Sequence, residues 1–105
     1  MTHIGSMDEL MPTVNFASRA VTEPGTDWGV RRIPDFQLFY VVSGGAELYA
    51  GSRRYAIRPG ECVYYGPEAP ARLMTVAETD YYSVHFEWRG RSPQPVHPAH
   101  RIVTL

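Results

Sequence analysis

Between residues 15 and 88 the chain runs in short apolar stretches, cut every few positions by glycine, proline and acidic turn residues. That rhythm predicts strands throughout and gives a helix almost no foothold. Residues 16–22 predict a first strand, closed by Glu23-Pro24-Gly25-Thr26, and residues 28–32 a second, ended at Pro34-Asp35. Residues 36–43, with QLFYVV at their heart, are rich in aromatic and β-branched side chains, which predicts a strand covered on both faces. Gly44-Gly45 reads as a bulge or sharp bend, and residues 46–50 and 53–57 as a hairpin through Gly51-Ser52. After Arg58-Pro59-Gly60-Glu61 come strands at 62–65 and 72–76, separated by the loop 66–71, and a last long strand at 81–88. In that last strand Tyr81, Ser83 and His85 alternate with Tyr82, Val84 and Phe86, so the two sets face opposite ways.

The ends read differently. Residues 1–15 carry scattered apolar positions (Ile4, Met7, Leu10, Met11, Val14) with no sustained period and predict an N-terminal arm. Residues 91–105, with prolines at 93, 95 and 98, predict an extended exit segment. The expected organisation is this arm, one barrel over 16–90, and the exit segment.

Composition narrows the function classes. At 105 residues there is room for one small domain, and 44% hydrophobic content suits a packed core. Ten basic residues, all arginine, face eleven acidic ones and are scattered, so neither composition nor clustering points to nucleic-acid contact by this chain. Cys62 is the only cysteine, which excludes an internal disulfide and suits a reducing cytosol. The first seven residues lack a signal-peptide apolar stretch, and no window is long and apolar enough for a membrane span. The expected location is cytoplasmic. No nucleophile beside a base, no carboxylate pair and no phosphate-cradling glycine loop is evident.

Three stretches, LFYVVSGGAEL at 38–48, RYAIRPGECVYYGPEAPAR at 54–72 and YYSVHFEW at 81–88, taken in this order and spacing, resemble the cupin fold. More narrowly they resemble the N-terminal effector-binding domain of AraC-type transcriptional regulators, over residues 28–88. The resemblance implies an all-β, cupin-like jelly-roll barrel (a double-stranded β-helix). In metal-binding cupins a histidine pair and a glutamate precede the first glycine, and a last histidine belongs to the second motif. Counting back seven from Gly44 puts Gln37 at the glutamate. The histidine pair falls on Val30 and Arg32, or with the shorter spacing on Arg31 and Ile33, and Ala71 stands at the last histidine. Gly66 and Glu68 replace the usual proline and glycine. A first-row metal needs several converging nitrogen, oxygen or sulfur donors, which these residues do not offer. The expectations are no metal, no cofactor and no enzymatic activity.

What the resemblance implies instead is a cavity for a small effector, expected to be an uncharged carbohydrate. DNA-binding and homodimer-forming parts would lie downstream of the barrel, and the arm would close over bound effector. Strand alternation turns Gln37, Phe39 and Val41 inward. The resemblance adds Tyr81 and Ser83 to the pocket lining, with His85 deeper on the same face. Arg31 and Arg32 are adjacent, so one of them faces inward, and the sequence leaves open which. The candidate effector-binding set is therefore Arg31, Arg32, Gln37, Phe39, Tyr81, Ser83 and His85, with no catalytic residue. Each has a plainer role available: Phe39 and Tyr81 as core filling, His85 as a histidine satisfied by backbone or a tyrosine. Arg72 reads as an outward arginine pairing near Glu68, and Arg53-Arg54 as a solvated edge. His97 and His100 have metal spacing only on a helix, which Pro98 forbids.

Overall fold

A computed structural model describes residues 11–67, 69–89 and 100–104. Among them are nine strands and no helix: β1 (Met11–Thr22), β2 (Asp27–Arg31), β3 (Phe36–Ser43), β4 (Ala46–Ala50), β5 (Arg53–Ile57), β6 (Glu61–Tyr65), β7 (Ala71–Thr75), β8 (Thr79–Arg89) and β9 (His100–Thr104). They form two antiparallel sheets, ordered β1-β8-β3-β6-β9 and β2-β7-β4-β5. The sheets face each other across one core. Phe39, Val41, Val63 and Tyr65 from the first meet Leu48, Ile57, Ala71 and Leu73 from the second, all of them buried. Apolar side chains at every second position of facing strands leave no other arrangement that removes both stripes from water.

β3 is covered on both sides, as its composition predicts. Gln37, Phe39 and Val41 point into the core. On the other face Phe36 stacks on Tyr64, ring centroids 5.6 Å apart, and on Phe86 at 5.9 Å. Phe36 is as buried as the core residues, so the first sheet carries a second aromatic layer on its outside.

The step from β3 to β4 depends on Gly44. Its φ is +88°, and a Cβ there would stand 2.2 Å from the Glu78 carbonyl oxygen and 2.7 Å from Thr79 Oγ1. Only glycine fits such an approach. The neighbouring amide of Gly45 donates to Thr79 Oγ1, whose single proton has the Gly45 and Ala77 carbonyls within hydrogen-bond reach, so the turn is stitched to the start of β8.

Both chain ends depart from the expected organisation. Residues 11–15, expected in the arm, are strand: Met11 pairs with Arg89 and Val14 with Phe86, and the register then shifts at Asn15. β1 lies at a sheet edge, the place where a sheet tolerates a proline such as Pro12. Residues 100–104, expected in the exit segment, return as β9 along β6, with His100 opposite Tyr65 and Thr104 opposite Glu61. The pairing supplies the exposed edge of β6 with hydrogen-bond partners, which outweighs the extended bias of the preceding prolines. The remainder of the arm, the prolines at 93, 95 and 98, and His97 lie outside the described residues.

Candidate functional site

β1 and β2 are edge strands of the two sheets, and side chains from both line one opening. Between them opens a cavity of about 140 Å³. Trp28, Phe39 and Tyr81 make one wall. Tyr81 stacks on Phe39 at 4.7 Å, and Trp28 stands edge-on to both, at 6.1 Å from Phe39 and 5.9 Å from Tyr81. Leu73 closes the second sheet's side, and Phe16, 57% exposed, stands at the mouth beside Ser18.

The polar wall is built on Gln37, which is 3% exposed. Its Nε2 donates to Ser83 Oγ at 2.9 Å, and its Oε1 accepts from the Tyr65 hydroxyl. A buried amide is tolerated only when so satisfied. Burial pushes the Tyr65 phenol above its ordinary value; the nearby Arg31 guanidinium opposes that and Asp35 reinforces it, so the group stays a neutral donor.

At the same end His85 Nδ1 lies 3.0 Å from Asp35 Oδ1, while Asn15 donates to Asp35 Oδ2 at 3.0 Å and to Glu87 at 3.1 Å. Burial of Asp35 disfavours its charge, but hydrogen bonds from His85 and Asn15 and the His85 charge together hold the carboxyl below the ordinary carboxylate range. In the neutral tautomer that donates from Nδ1 to Asp35, the lone pair of His85 lies on Nε2. Nε2 has no hydrogen-bond partner among the described residues.

Of the seven candidates, Arg31, Gln37, Phe39, Tyr81, Ser83 and His85 line this one cavity. Arg32 does not: it is exposed and donates to the Pro67 carbonyl at 2.8 Å. The choice between the two arginines is made by an irregularity in β2. Asp27 pairs with Met74 but Val30 with Arg72, a register shift over Gly29, whose φ is +77°. The shift reverses strand parity, so Trp28 and Arg31 share the cavity face although simple alternation separates them. Arg72 is outward as expected, but its partner is Asp27, at 2.5 Å. The sequence reading missed Phe16, Ser18, Trp28 and Leu73 in the lining and Asp35 behind His85. Phe16 and Ser18 reach the lining by lying opposite His85 and Ser83 in the sheet, a long-range pairing that leaves no local pattern in the sequence.

The residues at the cupin metal positions do not fit a metal ion. Gln37, Ala71 and either Val30 and Arg32 or Arg31 and Ile33 stand there, and no group of three His, Cys, Asp or Glu suited to a metal occurs among the described residues. No helix of the described residues is long and apolar enough to cross a membrane.

No protein-family model and no curated protein sequence matches the chain. Solved structures do. YhaK from Escherichia coli superposes with a TM-score of 0.66 at 17% identity, over 90% of this chain and 43% of that one. A Cupin 2 conserved barrel domain protein from Salinispora arenicola CNS-205 gives 0.57 at 21%, over 76% and 75%. Oxalate decarboxylase OxdC from Bacillus subtilis gives 0.56 at 15%, over 73% and 22%. ToxT from Vibrio cholerae, in a structure with bound unsaturated fatty acid, gives 0.53 at 16%, over 76% and 30%. The chain thus spans under half of YhaK and about a third or less of OxdC and ToxT. At these identities the likeness is of fold: the barrel is a cupin jelly roll, as the resemblance implies. The expectation of no enzymatic activity is corrected, because the same fold carries a decarboxylase among these neighbours and is compatible with catalysis.

Proposed function

We propose that this chain is the ligand-sensing domain of an AraC-type regulator, holding a small hydroxyl-rich effector of the sugar class between its two sheets. The cavity carries the reading: three mutually braced aromatic rings stand beside the Gln37, Ser83 and Ser18 polar groups around one space open to a side. Rings pack on the apolar face of a pyranose while donors and acceptors fix its hydroxyls. ToxT, an AraC-family regulator, supplies a structural parallel for a ligand in this fold. Size separates the guests. A cavity of about 150 Å³ encloses a benzene-sized molecule, so this one suits a single six-membered ring better than an extended acyl chain. In this reading the DNA-contacting and dimer-forming parts are separate from the barrel.

The test is a thermal-shift panel of pentoses, hexoses and their uronic acids. A binder at a hundred times its Kd raises Tm by on the order of 10 °C for a domain of this size. A flat response across the panel sinks the reading.

The His85–Asp35 pair supports a second reading, proton-transfer catalysis on the same guest, with Nε2 as base. Proton NMR in D2O checks it: wash-in of deuterium that disappears in His85→Gln is expected, and stable carbon-bound protons in every bound guest would remove it.

A further inference from the structure

We infer that the guest carries a carboxylate, and that Arg31 is the residue that recognises it. The inference rests on the cavity being an effector site and narrows the guest from a neutral sugar to an acidic, ring-sized molecule such as a uronic acid.

The charges around the cavity lead there. Three exposed arginines on the barrel are neutralised by carboxylates of the chain: Arg19 by Asp80 at 2.7 Å, Arg54 by Glu47 at 2.5 Å and Arg72 by Asp27 at 2.5 Å. Arg31 is half-buried in the lining, yet among the described residues it has no carboxylate at ion-pair distance. Asp35 approaches the same region, since both it and Arg31 act on the Tyr65 hydroxyl. Its two oxygens, however, are already bonded, Oδ1 to His85 and Oδ2 to Asn15.

The Tyr65 hydroxyl can occupy one of the five N–H donors of a guanidinium, and it has given its own proton to Gln37. The remaining donors form a planar fork that matches a carboxylate in a two-bond arrangement and that a neutral hydroxyl engages only singly. A partly desolvated cation with no carboxylate of the described residues at ion-pair distance gains most from an anionic guest. Gln37 and Ser83 then remain for hydroxyls, and the Trp28–Tyr81 wall for the ring face.

Matched pairs test this by isothermal calorimetry: D-glucuronate against D-glucose, D-galacturonate against D-galactose, and benzoate against benzamide. The acid of at least one pair is expected to bind about tenfold or more tighter than its neutral partner. Arg31→Gln should bring that pair to parity, and Arg31→Lys, which keeps the charge but loses the fork, should fall between. Circular dichroism confirms that both variants are folded before titration. Equal affinity within every binding pair, or a preference that survives Arg31→Gln, overturns the inference while leaving the cavity as the binding site. No binding by any of the six compounds overturns the effector reading and this inference together.

Discussion

Gln37 joins three roles in one side chain. It stands where a metal cupin has a carboxylate ligand, it links Ser83 to Tyr65, and it faces the cavity. Removing it strands a buried phenol, so Gln37→Ala should cost about 1–3 kcal/mol of stability in chemical denaturation. Gln37→Glu should cost no less, because it places a charge beside a phenol already short of solvent. A change under about 0.5 kcal/mol in either variant would mean that the trio is not formed. Asp35 makes a separate, pH-resolved prediction. Its folded carboxyl titrates below the ordinary value, so its contribution is present above about pH 4 and is lost as pH falls through the folded value. Wild-type Tm should therefore drop on the acid side more steeply than that of Asp35→Asn. Parallel profiles would show that the His85–Asp35 bond contributes nothing. The ion pairs of Asp27, Glu47 and Asp80 are exposed and add little to this limb.

Strands β3, β4 and β5 were legible in the sequence to the residue, because glycine turns bound them and the alternating burial of Phe39, Val41, Leu48 and Ile57 is undisturbed. Inward Gln37, Phe39, Tyr81 and Ser83 followed from that alternation and the family pattern. What the sequence did not display is where alternation breaks. The shift over Gly29 puts Arg31 inside and Arg32 outside, and the shift at Asn15 turns that amide toward Asp35. A bulge changes parity without a fixed residue signature, so period-2 reasoning passes through it unaware. β9 was hidden for another reason: its partner, β6, lies far away in sequence, and long-range pairing leaves no local pattern. Gly44 offers a test at this level. Gly44→Ala adds a methyl 2.2 Å from a backbone oxygen at a φ that L-residues avoid, and should lose more than about 2 kcal/mol. Gly51→Ala, with nothing within 4 Å, should lose less. Equal losses would contradict the close approach of the β3–β4 crossing to β8.

The sandwich as a whole is packed at one end and open at the other. Leu48, wholly buried between the sheets, belongs to the packed end, and Leu48→Ala should destabilise by about 2–5 kcal/mol without altering ligand specificity. The open end, between the two edge strands, is lined by aromatic rings, polar groups and an arginine. In the proposed function, that division, a packed core supporting a lined hollow, is what lets a fold shared with an oxalate decarboxylase and with ToxT receive one small guest. Trp28 reports on the hollow directly. The chain has two tryptophans, so a Trp88→Phe background leaves Trp28 as the sole indole. Titration of that protein with the tightest-binding sugar or uronate should give a saturable change in Trp28 emission, with a midpoint equal to the calorimetric Kd. Calorimetric binding with unchanged Trp28 emission would place the guest elsewhere and contradict the account.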